Sequence, residues 1–145
     1  MLAAMASQST YLEQLATVPL FSAFSRRELA KVARAADEVS VSAGRDVVVE
    51  GKIGHECFVI LSGQAKVSRD GTTIATFSAG DHFGELALLD GGPRTATVTA
   101  TTDLELLVLA QREFLSLLED VPPLSRKMLT TLARQVRELD DHLYG

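Results

Sequence analysis

A mainly β fold is expected here: an antiparallel β-roll of jelly-roll type, with N-terminal helices leading in and two C-terminal helices trailing. Three observations predict it. Helical periodicity fills residues 1–36, short β-type runs broken by turn residues fill 37–110, and helical periodicity returns over 111–145. No helical stretch alternates with the β-type runs, which argues against a parallel sheet.

The lead-in carries a helical stretch from about Ser9 to Leu15, broken at Pro19-Leu20-Phe21. Ser25-Arg26-Arg27-Glu28 then forms a capping box, in which Ser25 accepts from the Glu28 N–H and Glu28 reaches back to Ser25. Behind it Leu29, Val32, Ala33 and Ala36 make one apolar stripe. The β-type region begins near Val39. Its candidate strands are Val47 to Val49, Cys57 to Leu61, Ala65 to Val67, Thr73 to Phe77, Thr95 to Thr101 and Leu104 to Leu109. Ser42 to Arg45, Ser62-Gly63 and Asp70-Gly71 punctuate them, and Asp70-Gly71 suits a tight hairpin because both residues tolerate positive φ. Phe114, Leu115, Leu117 and Leu118 fit a short helix stopped by Pro122-Pro123. A longer helix follows, with Leu124, Met128, Leu132, Val136, Leu139 and Leu143 along one face. That stripe fits core packing, a lid over a site, or the seam of a homodimer.

At 145 residues the sequence is read as one domain. A net charge of −5 argues against direct binding of nucleic acid, which needs a concentrated basic surface, yet leaves room for a small anion held by a local arginine. Cys57 is the single cysteine, so an intramolecular disulfide and a thiolate zinc cluster are excluded; its apolar neighbours predict a buried thiol. No apolar run approaches a membrane span, and the opening Met1 to Ala6 lacks the basic segment of a secretory signal. A soluble, cytoplasmic protein is expected.

Residues 76–98 do not read as a strand–turn–strand connection. Gly80, Gly84, Gly91 and Gly92 frame Leu86-Ala87-Leu88-Leu89, enough for one helical turn, with Glu85 just before it. Glycine ahead of such a turn lets backbone approach a ligand and leaves N–H groups unpaired, a nest suited to an anion. Arg94 follows, and a guanidinium fork matches two phosphate oxygens. A carboxylate beside a phosphate repels it, so Glu85 belongs in such a site only as an acceptor for a neutral hydroxyl of the same ligand. Phosphate plus hydroxyl describes a sugar phosphate or nucleotide. The same residues also fit a plain turn in which Glu85 caps the helix and pairs with Arg94.

The stretch Gly80-Asp81-His82-Phe83-Gly84-Glu85-Leu86-Ala87-Leu88-Leu89, followed by Pro93-Arg94-Thr95-Ala96-Thr97-Val98, resembles the phosphate-binding cassette of cyclic-nucleotide-binding domains. That family includes catabolite activators, regulatory subunits of cyclic-AMP-dependent kinase and nucleotide-gated channels. A second signature lies upstream, from Val47-Val48-Val49-Glu50-Gly51 through Gly54 to Cys57-Phe58-Val59-Ile60-Leu61-Ser62-Gly63. The resemblance implies a ligand site at Phe83, Gly84, Glu85, Leu86, Ala87, Arg94, Thr95 and Ala96. Glu85 would accept from the ribose 2′-hydroxyl and Arg94 would pair with the cyclic phosphate. Backbone N–H groups near Gly84, Leu86, Ala87 and Ala96 would complete the cradle, with Thr95 close to the phosphate or base. A trailing-helix residue would cap the base, with Leu132, Val136 and Arg134 as candidates. Two positions depart from the family pattern: Lys52 replaces an acidic or amide residue, and Cys57 opens a run that is otherwise aliphatic or aromatic.

Other chemistry is not supported. His55, His82 and His142 lack the spaced pair of a cupin-type metal site, so no metal is expected. There is no Gly-x-Ser-x-Gly elbow and no P-loop, and Arg94 near Glu85 and Asp81 neutralises charge rather than raising a carboxyl pKa. Catalysis is not expected, and neither is a cofactor beyond the ligand. Arg126, Lys127, Arg134 and Arg137 give the last helix a basic side that fits solvation. The expectation is a regulatory domain that binds a 3′,5′-cyclic purine nucleotide, cAMP favoured over cGMP, and signals through its C-terminal helices to an effector domain or partner. A β-roll interaction module without a nucleotide response, or the sensor of a transcription regulator lacking its DNA-binding part, is the alternative.

Overall fold

The computed structural model describes residues 11–144, with side chains through Asp141. The readings for Met1 to Ala6, for Ser9, and for the side chains of His142 and Leu143 lie outside the described residues. Residues 11–16 are helical and lead into a 3₁₀ turn at Pro19–Phe21 and helix α1, Arg26–Ala35. The capping box closes as expected: the Glu28 N–H donates to Ser25 Oγ at 3.1 Å, and the Ser25 N–H donates to Glu28 Oε1 at 2.8 Å. Ser25→Ala is expected to cost about 1 kcal/mol, read as a lowered urea midpoint with an unchanged slope.

Eight strands follow: β1 Asp37–Val41, β2 Asp46–Val48, β3 Glu56–Ser62, β4 Ala65–Arg69, β5 Thr72–Phe77, β6 His82–Phe83, β7 Thr97–Ala100 and β8 Leu104–Ala110. They form two antiparallel four-stranded sheets, ordered β1-β8-β3-β6 and β2-β7-β4-β5, which is the β-roll the sequence predicts. The turn between β4 and β5 has Asp70 at φ 52° and Gly71 at φ 79°, the two positive angles of a type I′ hairpin.

The central strands β3 and β8 are apolar on both faces because both faces are covered. Phe58, Ile60, Leu104, Leu106 and Val108 point between the sheets, where they meet Val67 and Val98 of the other sheet. The alternate residues Cys57, Val59, Leu61, Leu107 and Leu109 point outward, under the helices. Helix α2, Glu85–Asp90, interrupts the roll between β6 and β7, and it plants Leu88 in that helix-side core.

Helix α3 spans Gln111–Asp120 and α4 spans Pro122–Tyr144. Pro122 begins α4, where its missing N–H costs nothing. Phe114, Leu117, Val121, Leu124 and Met128 are buried against the outer face of β3 and β8. The stripe predicted along α4 then divides. Leu124 and Met128 belong to the core, whereas Val136 and Leu139 are 64% and 63% exposed. No described helix is long and apolar enough to cross a membrane.

Candidate functional site

An open cavity of about 920 Å³ lies between the β4–β5 sheet, the α2 segment and the inner face of α4. All eight cassette residues named from the sequence sit in this region, and each lines the cavity: Phe83 to Ala87 on one wall, Arg94 to Ala96 on another. Of the three candidate base caps, Arg134 lines the cavity, while Leu132 and Val136 are not among its lining residues. The α4 positions that face it are Lys127, Thr131, Arg134, Gln135, Glu138 and Leu139, a helical stripe that is offset from the apolar one and shares only Leu139 with it.

Local sequence explains the shape. Gly84 caps α2 in the left-handed region at φ 91°, where a Cβ would also come within 2.9 Å of Arg94 Nη1 and 3.1 Å of the Glu56 carbonyl oxygen. Phe83 is buried, paired with Phe58 across β6 and β3 and stacked between the Phe58 and Phe77 rings at 5.0 and 5.6 Å. Phe83 therefore anchors the cassette in the inter-sheet core. On the other side Gln111 Nε2 donates to the Leu88 carbonyl at 3.3 Å, which ties α2 to the first residue of α3.

Arg94 is the most constrained charge in the site. It is 8% exposed, and no carboxylate lies within 4.0 Å of it among the described residues. Nη1 donates to the Gly84 carbonyl at 3.0 Å and Nη2 to the Glu56 carbonyl at 2.8 Å, while Cζ lies 5.9 Å from the centre of the Phe58 ring. These bonds use two of the five N–H donors of a guanidinium. Burial holds its pKa below the usual guanidinium value, and the fields of Glu56, Cys57 and Glu85 oppose that fall. The main chain is clamped as well: Gly51 N–H donates to the Arg94 carbonyl and Arg94 N–H to the Lys52 carbonyl, both at 2.8 Å. Thus the two sequence signatures are hydrogen-bonded to each other, and Lys52 contributes through its carbonyl, which any residue supplies.

Glu85 does not pair with Arg94, so the plain-turn reading of these two residues is not what the structure shows. Glu85 is 6% exposed; Oε1 is 3.3 Å from Nδ1 of His82, and both that Nδ1 and Glu85 Oε2 are buried with no hydrogen-bond partner among the described residues. Burial pushes the Glu85 pKa up, but the adjacent His82, its own N–H and the Arg94 charge outweigh that and leave it below the usual carboxylate value. Cys57 behind the site is buried, and its thiol is pushed up to about 12 by burial first and by Glu85 second, so it stays protonated and unreactive.

Two further residues were assigned no ligand-binding role from the sequence. Arg69, at the end of β4, donates from Nε to the Thr95 carbonyl at 2.9 Å and lines the cavity. His82 is the other. The cavity wall holds four cationic side chains, Arg69, Arg94, Lys127 and Arg134, against the carboxylates of Asp81, Glu85 and Glu138, so the site favours an anion although the chain is acidic.

A β-roll with a buried, uncompensated arginine beside an orphan carboxylate oxygen defines a domain built to bind a small ligand that is both anionic and hydroxylated. The family model for the cyclic nucleotide-binding domain matches residues 38–121, more than half the chain, and the chain belongs to that family. It is 36% identical over 115 residues to a "cAMP-dependent protein kinase regulatory subunit" of Aspergillus niger, covering 78% of this chain and 28% of that protein. It is 29% identical to a "CRP-like cAMP-activated global transcriptional regulator" of Mycobacterium tuberculosis, covering 90% of this chain and 61% of the relative. Its fold superimposes on the crystal structure of the Thermus thermophilus catabolite activator protein with a TM-score of 0.80 at 29% identity, covering 86% of this chain and 61% of the other. The chain thus spans less than two thirds of the length of these relatives.

Proposed function

We propose that this domain binds a 3′,5′-cyclic purine nucleotide in the 920 Å³ cavity, with cAMP favoured over cGMP, and relays binding through α3 and α4 to an effector domain or partner. The observation that carries this reading is Arg94, a buried cation with no carboxylate within 4.0 Å among the described residues and three N–H donors left over. A buried charge without a counter-charge is costly, and a phosphate supplies one. Glu85 Oε2 needs a donor for the same reason, which the ribose 2′-hydroxyl provides. Backbone N–H groups of Leu86, Ala87 and Ala96 would complete the phosphate cradle, with Thr95 at the phosphate or base. The relatives named for cAMP support the choice of purine.

The relay follows from connectivity. Movement of α2 toward the phosphate carries Leu88, which is packed with Phe114, Leu124 and Met128 and held by Gln111. The distal half of α4 packs loosely, with Leu129, Val136 and Leu139 exposed, and is free to close over the base through Arg134. Nucleotide drives closure only by binding the closed form more tightly; a hundredfold preference supplies about 2.7 kcal/mol. Thermal unfolding with cAMP, cGMP or 5′-AMP tests the assignment. Both cyclic nucleotides are expected to raise the melting temperature, cAMP at the lower concentration, because a ligand that binds only the folded state stabilises it in proportion to its excess over Kd. No shift with either at millimolar concentration would overturn the sensor reading.

A second reading rests on the exposed stripe. Exposed Leu129, Val136 and Leu139, with the half-buried Leu132 among them, recur at alternating spacings of three and four, the spacing of a two-stranded coiled-coil seam, so α4 also suits a homodimer contact. A protein that dimerises without any nucleotide-dependent melting shift would favour an interaction module over a sensor.

A further inference from the structure

We propose that Arg69 reads the purine edge of the bound nucleotide and favours guanine there, so that it narrows the preference for cAMP over cGMP. The inference rests on the nucleotide-binding reading and names a residue of that same site that bears on its choice of base. Arg69 ends β4, on the cavity wall formed by the β4–β5 hairpin, and its Nε donates to the Thr95 carbonyl at 2.9 Å. Both Nη groups are without a partner among the described residues, and no carboxylate there lies within 4.0 Å of them. Glu50, which is tied to the same hairpin, commits its Oε1 to the Asp70 N–H at 3.0 Å. The Arg69 guanidinium is therefore seated but uncompensated.

Three hydrogen bonds hold it in place. The Glu50 N–H donates to Thr97 Oγ1 at 2.9 Å, the Glu50 carboxylate holds the hairpin at Asp70, and Arg69 closes the circuit on Thr95. Thr95 follows Arg94, so two arginine forks flank one backbone segment, Arg94 buried and Arg69 exposed. A cyclic phosphate carries a single negative charge, and the buried arginine has the greater need of it. With the phosphate at Arg94 and the ribose hydroxyl at Glu85, the base is the part of the ligand left to extend toward the hairpin wall, where Val67 and Ile74 offer apolar surface beside Arg69. A guanidinium has donors only. Guanine presents two acceptors, N7 and O6, along one edge, whereas adenine sets the N6 amino donor beside N7. Arg69 thus satisfies both positions of guanine and one of adenine.

The test is calorimetric titration of the intact chain with cAMP, cGMP and ribose 3′,5′-cyclic phosphate, which keeps the phosphate and the 2′-hydroxyl but has no base. Arg69→Ala is expected to raise the ratio of the cGMP Kd to the cAMP Kd about fivefold, the lower end of what a two-point base contact discriminates, because the side chain is exposed. The baseless ligand is expected to bind both proteins alike. Arg69→Gln carries an amide whose donor and acceptor match the adenine edge, and it should raise the ratio at least as far. A loss shared equally by cAMP and cGMP would overturn the proposal. Shared also by the baseless ligand, it makes Arg69 a phosphate contact or a brace; confined to the two nucleotides, it makes Arg69 a stacking surface indifferent to the purine. Unchanged affinity for every ligand would overturn it as well. Failure of the unsubstituted protein to bind either nucleotide would instead overturn the reading on which the inference rests.

Discussion

Arg94→Ala is expected to weaken cyclic-nucleotide binding by between about 10-fold and 100-fold, through loss of a charge-assisted pair worth about 1.5–3 kcal/mol. The direction follows from how the guanidinium is seated in the fold. Its two bonds to the carbonyls of Gly84 and Glu56 fix its position, so a phosphate would meet an oriented donor set. Arg94→Lys separates charge from geometry: it keeps the cation but loses the fork, and should fall between the two proteins. Calorimetry at one salt concentration checks both, with thermal unfolding run alongside because the substitution also frees two carbonyls. Full affinity in Arg94→Ala would remove the basis for a phosphate site at this residue.

Much of the fold was legible because burial on two faces leaves a continuous apolar signal. Cys57 to Leu61 and Leu104 to Leu109 could be read as strands for that reason, and their alternate residues serve two different cores. Strand β1 was harder to see: Asp37-Glu38-Val39-Ser40-Val41 is mostly exposed and acquires its conformation from pairing with β8, from Asp37 opposite Val108 to Val41 opposite Leu104. Strand β6 has two residues, too few for any period. The α4 stripe was visible as periodicity, but periodicity does not say what a helix faces. Its first two members meet the core, and a neighbouring stripe meets the cavity.

The cassette was legible as chemistry, since glycines, a carboxylate and an arginine within fifteen residues pose a definite electrostatic problem. Its supports were not. Arg69 reaches the Thr95 carbonyl across 26 positions and Arg94 reaches the Glu56 carbonyl across 38, contacts with no local signature. His82 was weighed only as a metal ligand. Its spacing of three from Glu85 was in plain view, but nothing in the sequence showed that a half-buried His82 would face a buried Glu85.

The same distance-blindness hid the role of Gly54, whose substitution should be nearly as damaging as that of Arg94. An alanine Cβ there would overlap Nε, Nη2 and Cζ of the Arg94 side chain, so the guanidinium must leave its seat against the backbone. Gly54→Ala is therefore expected to lose both carbonyl bonds, at roughly 2–3 kcal/mol of stability, and to weaken nucleotide binding at least about tenfold without touching ligand. Arg94 mediates both losses, which makes the prediction a cycle rather than a single measurement. Once Arg94→Ala has removed the side chain, alanine at 54 has nothing to displace, and the double variant should bind and unfold much like Arg94→Ala alone. A Gly54→Ala cost that persists undiminished in the Arg94→Ala background would mean that glycine is needed there for the backbone itself, and that its packing against the guanidinium is incidental.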